Sequence, residues 1–224
     1  DGNVVDYTMP DLSGVDMVLM GMRGPDNGDN FTGAGMNDDG SFYPLSLQWG
    51  SYTADGPNVR KTSIAGDILA DGSQENRSYF GATSKIGNEY DLVALNRVSE
   101  AVAALEKGKN GKRKTHGTKN IPIIVTVKAK TAFVPAEVEP QVDALLVGYS
   151  VFDSVLIEAA LGIKEPHGQL PVTAPKDMNA AEAQLEDVGD DTEPYVDSDG
   201  HIYTFGYGLN WKGVIDRSTQ KRRR

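Results

Sequence analysis

The sequence predicts an α/β fold: an open, mostly parallel sheet with helices on both faces, an α/β sandwich, with a long irregular loop insertion after the first strand. Three observations carry this. Strand-type and helix-type patterns alternate from residue 121 to 175, the signature of parallel strands joined by covering helices. A separate short apolar run, VDMVLMGM at 15–22, sits between Gly14 and Arg23-Gly24-Pro25 and reads as a buried strand. Between them, from 23 to 86, neither periodicity holds.

Each element has its own reason. The segment RGPDNGDNFTGAGMNDDG (23–40) is rich in Gly, Asn and Asp, which favour turns. The irregular stretch continues through LSLQWGSYTADG to about Ile86. A loop of this length inside a compact domain is uncommon and usually functional or disordered. Phe42, Tyr43, Trp49, Tyr52 and Tyr79 argue against simple disorder, because disordered segments are poor in aromatics. Order resumes at Asn88, where Leu92, Leu95, Val98, Val102 and Leu105 fall at helical spacing. Asn88 or Asp91 is expected to cap this helix, and Lys107 and Lys109 suit its C-terminal end. GKNGKRKTHGTKN (108–120) reads as a solvated basic turn. IPIIVTVKA (121–129) is a buried strand with Pro122 at its start, where a missing N–H is tolerated. TAFVPAEVEPQ (131–141) reads as a short helix, VDALLVGYS (142–150) as a second buried strand and VFDSVLIEAALGI (151–163) as an amphipathic helix ended by Gly162 and Pro166. QLPVTAP (169–175) is expected to be a third, shorter strand, and the acidic tail from Lys176 a loop region closing on YTFGYGLNW.

Composition narrows the function. The chain has 224 residues, a net charge of −10 and a pI near 4.8. Nucleic acid and anionic membranes both need a basic face, so neither is expected as a main partner. No apolar run approaches the ~20 residues of a membrane-spanning helix. The absence of cysteine excludes disulfides, zinc–thiolate sites and thiol nucleophiles. The Asp clusters at 38–40, 189–191 and 196–200 invite a calcium reading, but a calcium loop needs Glu six residues after its Gly, and Gly206 stands there after Gly200. His116, His167 and His201 are scattered. No P-loop, dinucleotide fingerprint or nucleophile elbow is present. No metal and no cofactor is therefore expected. The chain starts at Asp1 in what reads as mid-domain sequence.

Several ordered motifs carry a resemblance. EPHGQLPVT (165–173) within VDALLVGYSVFDSVLIEAALGIKEPHGQLPVTAPKDM, the closing FGYGL (205–209), TSIAGD (62–67) and ENRSYFG (75–81) together resemble the C-terminal α/β sandwich domain of glycoside hydrolase family 3. The resemblance spans nearly the whole chain. It implies a retaining, exo-acting β-glucosidase acting on non-reducing-end β-D-glucosides such as cello-oligosaccharides. In that family a (β/α)8 barrel carries the nucleophilic aspartate, and the sandwich lends a loop over the active site that usually supplies the general acid/base. A barrel needs ~250 residues, so residues 1–224 are expected to be a sandwich fragment or separate chain, inactive alone, with the barrel of the same enzyme as its partner. The loop region is 23–86 and the C-terminal extension 176–224. The family's cello-oligosaccharide enzymes are often exported.

Retaining glycosidases use two carboxyl groups ~5–5.5 Å apart. The resemblance aligns Glu75 and Arg77 with the family's acid/base Glu and its neighbouring Arg, although the flanking glycines and Asp of that motif are missing. Glu75 is then the acid/base and Arg77 its orienting partner; the alternative is an ordinary surface ion pair. Asp26 and Asp29, directly after the first strand, are alternative acids. Arg23 and Asn27 are candidates for substrate contact from the same segment. Tyr43, Trp49 and Tyr52 offer aromatic faces to a pyranose ring, or else form a small core that holds the loop together or a face of a homodimer. A non-catalytic module that completes the sugar pocket and mediates dimerisation is the alternative function.

Overall fold

The computed structural model describes residues 9–28, 35–63, 66–106, 121–185 and 187–215. Three parallel strands form the sheet: β1 (Val18–Arg23), β2 (Ile123–Ala129) and β3 (Ala144–Tyr149), in the order β1-β2-β3. Val18 lies opposite Ile123, and Ile124 opposite Ala144. The register fixes the two faces, because side chains alternate along each strand. Val18, Met20 and Met22 of β1, Ile123, Val125 and Val127 of β2, and Leu145, Val147 and Tyr149 of β3 share one face and belong to one hydrophobic cluster. Helix α1 (Glu89–Glu106) presses Leu95 and Val102 into this cluster, beside Phe133 and Val138.

Helix α2 (Asp153–Ala160) covers the opposite face. Lys128 Nζ reaches Asp153 Oδ1 at 2.9 Å. A Cβ at Gly148, the register partner of Lys128, would lie within 3.0 Å of Leu156. The glycine lets α2 sit directly on β3. The open parallel sheet with helices on both faces is thus as the sequence reads.

Three elements differ from expectation. The segment 131–141 is not one helix but two single 3₁₀ turns, Pro135–Glu137 and Glu139–Gln141. Pro135 and Pro140 each sit in the first turn and lack the N–H that a continuous α-helix would use. The segment 169–175 is not a strand of the sheet. Pro171 and Pro175 remove two donors, and the extended chain pairs locally instead: Leu170 N donates to Tyr207 O, Ala174 N to Tyr203 O, and Pro175 makes a single bridge with Pro194. The tail is also more ordered than expected. Asp177 Oδ1 accepts Ala180 N at 2.8 Å and caps helix α3 (Met178–Ala183), and β4 (Leu209–Asn210) pairs with β5 (Gly213–Val214) in a small hairpin. The basic turn at 108–120 and the lysines after α1 lie outside the described residues.

The insertion leaves the carboxyl end of β1 and returns to the start of α1. It is built from nested antiparallel contacts. Tyr52–Ala54 pair with Gly81–Ser84, and within that closure Ile68 bridges Gln74. Trp49, Tyr52, Ala54 and Val59 are buried beneath it.

Candidate active site

Glu75 stands at the base of a tight hairpin. Leu69 N donates to Ser73 O, Gly72 N to Leu69 O, and Glu75 N to Asp67 O. The Asp71-Gly72 pair makes the turn. Asp71 Oδ1 accepts both the N–H and the hydroxyl of Ser73, and Gly72 takes φ +83°, which a glycine adopts without strain. The pairing sets Asp67 opposite Glu75, and both side chains emerge on one face. Arg77, two residues beyond Glu75, is on that face as well. Its Nε donates to Glu75 Oε2 at 2.7 Å and its Nη2 to Asp67 Oδ2 at 3.1 Å.

One guanidinium therefore bridges two carboxylates. The Arg77 hydrogen bond holds the Glu75 carboxyl below the usual glutamate range, and the Glu75 partner raises Arg77 in turn. The Glu75 side chain is one-third exposed. In this chain alone it is an ionised, oriented carboxylate facing solvent. The segment behind it is anchored further in. Tyr79 donates to Glu182 Oε2 at 3.0 Å and Tyr52 to Glu182 Oε1 at 3.3 Å, so α3 holds both ends of the loop. Burial, with the Glu182 charge beside it, pushes the Tyr79 phenol up to about 12.

The second candidate cluster, at the carboxyl end of β1, is a separate constellation. Arg23 Nη1 pairs with Asp26 Oδ2 at 3.4 Å, and Nη2 donates to Tyr90 Oη at 3.1 Å. Asp26 Oδ1 accepts Gly28 N at 3.0 Å, a local turn bond. Asn27 exchanges two hydrogen bonds with the backbone of Ser46, at 2.8 and 2.7 Å, and so acts as a rung between two loop segments. Asp29 lies outside the described residues.

The aromatics divide. Trp49 is fully buried, edge-on to Phe133 at 5.4 Å, and its indole N–H donates to Arg23 O at 2.9 Å. Tyr52 is buried with its hydroxyl on Glu182. Both hold the loop together from inside. Tyr43 is half-buried, with Lys85 Nζ 4.9 Å above its ring.

Three polar anchors have roles that the sequence reading did not assign. Asn88 does not cap α1 with its carbonyl: Oδ1 accepts Asp26 N, while Nδ2 donates to Arg23 O, Gly24 O and Asp91 Oδ2. Glu137 accepts the backbone N–H groups of Trp49 and Gly50, and burial raises its carboxyl above the usual range. Asp67 completes the Glu75–Arg77 pair. Only Asp67 had a legible signal: the Asp-Gly dipeptide at 71–72 marks a two-strand turn whose arms pair 67 with 75. Among the described residues, no group of three or more His, Asp or Glu is placed to hold a metal ion.

Comparison with known proteins finds distant relatives of one kind. Beta-glucosidase C of Emericella nidulans is 31% identical over 93 residues, 42% of this chain and 14% of that protein. Proteins named probable beta-glucosidase C from Aspergillus flavus and Aspergillus oryzae are each 30% identical over 101 residues, 45% of this chain and 15% of theirs. The matched stretch thus spans about a seventh of these relatives. No family model and no solved structure matches the chain. Over a little under half its length, the chain is distantly related to β-glucosidase-like proteins.

Proposed function

We propose that this chain is the C-terminal sandwich of a retaining, exo-acting β-glucosidase of glycoside hydrolase family 3, with Glu75 delivering the general acid/base to a nucleophile on a barrel that this chain does not contain. The observation that carries the reading is the placement of Glu75: a one-third exposed carboxylate, oriented by Arg77, on a folded loop that leaves the carboxyl end of the sheet. Ligands of open α/β sheets gather at that edge. The relation to beta-glucosidase C supplies the chemistry that such a carboxyl would serve.

In that chemistry the barrel's carboxylate attacks the anomeric carbon as the glycosidic C–O bond breaks. Glu75 gives its proton to the departing oxygen, which leaves as an alcohol. The Glu75 carboxylate then takes a proton from water, whose oxygen attacks the same carbon and releases the nucleophile. A general acid works best with its pKa near the operating pH. Arg77 lowers the Glu75 pKa, whereas a second carboxylate ~5–5.5 Å away and exclusion of water both raise it. Asp67 takes a different nitrogen of the same guanidinium, Nη2, and so shares Arg77 with Glu75.

The test uses this chain with its barrel and compares wild type with Glu75→Ala on cellobiose and on an activated aryl β-glucoside, with and without azide. The expected result is a collapse on cellobiose, a milder loss on the aryl substrate, and rescue by azide with formation of β-glucosyl azide. Equal, modest losses without rescue would reduce Glu75 to loop structure and move the acid to Asp26, Asp29 or the barrel; an acid on the barrel leaves the sandwich the non-catalytic role, in which its loops complete the sugar pocket and its surface pairs two protomers.

A further inference from the structure

The rung between Asn27 and Ser46 is also a chemically labile point. When glycine follows asparagine, no Cβ hinders attack by the glycine nitrogen on the side-chain amide. The sequence holds Asn-Gly twice, at 27–28 and at 110–111, and the second lies outside the described residues. At the first, both ends of the amide are engaged: Nδ2 donates to Ser46 O at 2.8 Å, and Oδ1 accepts Ser46 N at 2.7 Å. Ser46 is fully buried. The attacking nitrogen is engaged as well, since Gly28 N donates to Asp26 Oδ1 at 3.0 Å. Asp26 is pinned in turn, with its N–H on Asn88 Oδ1 and its carbonyl accepting Gly87 N. Every group that the reaction needs is thus held in a hydrogen bond that must break first.

We propose that Asn27 is a site of spontaneous deamidation, with water as co-reactant, that is closed in the folded loop and reacts only when the rung to Ser46 lets go. Gly28 N attacks Asn27 Cγ. The N–Cγ bond forms, the Cγ–Nδ2 bond breaks, and Nδ2 leaves as ammonia with the proton from Gly28 N. Water then opens the five-membered imide at one of its two carbonyls. The product is aspartate or, with the main chain rerouted through Cγ, isoaspartate. The net change is amide plus water to acid plus ammonia, with no oxidant or reductant. This product cannot rebuild the rung. A carboxylate oxygen stands where Nδ2 donated, faces the Ser46 carbonyl and leaves that buried acceptor unmet. Isoaspartate also adds a carbon to the main chain. One opening of the loop is thereby made permanent, and the strap between the end of β1 and the segment around Ser46 is released.

The experiment follows Asn27 by peptide mapping and mass spectrometry of this chain at mildly alkaline pH, native and unfolded in urea. Asn27 is expected to convert at least about tenfold more slowly in the native chain, the protection that a local opening equilibrium confers. Asn88→Ala frees Asp26 and Asp26→Ala frees Gly28 N, so each should narrow the ratio between the native rate and its own rate in urea. A narrower ratio in either variant supports the gate. Equal rates for the native and unfolded wild type, or a ratio that neither variant moves, overturn it; should Asn88→Ala not fold, Asp26→Ala alone decides. The deamidated fraction carries one more negative charge and is separated by anion exchange. Its amide hydrogen exchange is compared with that of the intact fraction. Ser46 N–H is expected to exchange faster, while Val125 and Val127 keep their protection. Ser46 protection that survives deamidation overturns the release of the strap.

Discussion

The carboxylate of Glu137 accepts the backbone N–H of Trp49 at 2.6 Å, tying the loop after β1 to the crossover between β2 and β3. Its other oxygen accepts Gly50 N at 2.9 Å. A Cβ on Gly50 would sit 2.6 Å from that oxygen, so glycine is what allows the approach. Removing the carboxylate leaves two part-buried donors unmet. Glu137→Ala is expected to destabilise the chain by about 1–3 kcal/mol for each unsatisfied group, read from urea unfolding. The pH dependence has a definite sign. Burial raises the folded-state carboxyl above the unfolded 4.5, so the folded state binds the proton more tightly. That contribution is fully present below 4.5 and is lost as pH rises through the folded value. The stability of wild type relative to Glu137→Gln should therefore increase as pH falls.

Asn88 is fully buried and spends both ends of its amide on the chain that leaves β1. Asn88→Ala strips an acceptor from Asp26 N and a donor from the carbonyls of Arg23 and Gly24. Asn88→Asp keeps the acceptor but turns the donor into a carboxylate oxygen facing two carbonyls and Asp91 Oδ2 in a buried site. The expected order of stability at neutral pH is wild type, then Ala, then Asp, with Ala lower than wild type by about 2–4 kcal/mol. Equal stability of all three by thermal unfolding would remove Asn88 from its place as the anchor of this loop.

The sheet was legible because its strands are short apolar runs with bounded ends, and α1 because five apolar residues fall at helical spacing. The segments 131–141 and 169–175 were misread for one physical reason. Both are apolar enough for a regular element, but prolines at 135, 140, 171 and 175 remove the donors that such an element needs. Glu75 and Arg77 stand two apart in sequence, so their pairing could be read. Glu137 and Trp49 are 88 residues apart, and nothing local in either segment announces the contact. Of the two readings of Trp49 and Tyr52, a pyranose face or a small core for the loop, their burial matches the core.

Gly66 sets the base of the hairpin. It takes φ +148°, and a Cβ there would come within 2.2 Å of Glu75 O, a backbone atom that cannot swing aside. Gly66→Ala is expected to cost about 1–3 kcal/mol in local strain and to open the hairpin without unfolding the sheet. Amide hydrogen exchange is the measurement. Exchange should speed up at Leu69, Gly72 and Glu75, whose N–H groups close the hairpin, while Val125 and Val127 in the central strand keep their protection.

Arg77 sets the titration of Glu75. Its hydrogen bond is the largest influence that lowers the Glu75 carboxyl, with Asp67 backbone and charge effects behind it. Arg77→Met keeps much of the side-chain length and removes the charge and the donors. In this chain alone, the Glu75 carboxyl carbon followed by NMR should titrate below the ordinary 4.5 in wild type and move upward in Arg77→Met. A folded pKa below the unfolded one stabilises the fold above 4.5 and loses that contribution as pH falls through the folded value. The variant should lose this acid-side dependence. Because Glu75 is exposed, the thermal midpoint at neutral pH should hardly change. In the complete enzyme the same substitution has a kinetic consequence. The basic limb of the kcat/KM profile reports the pKa of the group that must be protonated. If that group is Glu75, Arg77→Met moves the basic limb to higher pH, in the same direction as the NMR titration. A carboxyl that moves by NMR while the basic limb stays in place would mean that the proton reaches the leaving oxygen from another residue.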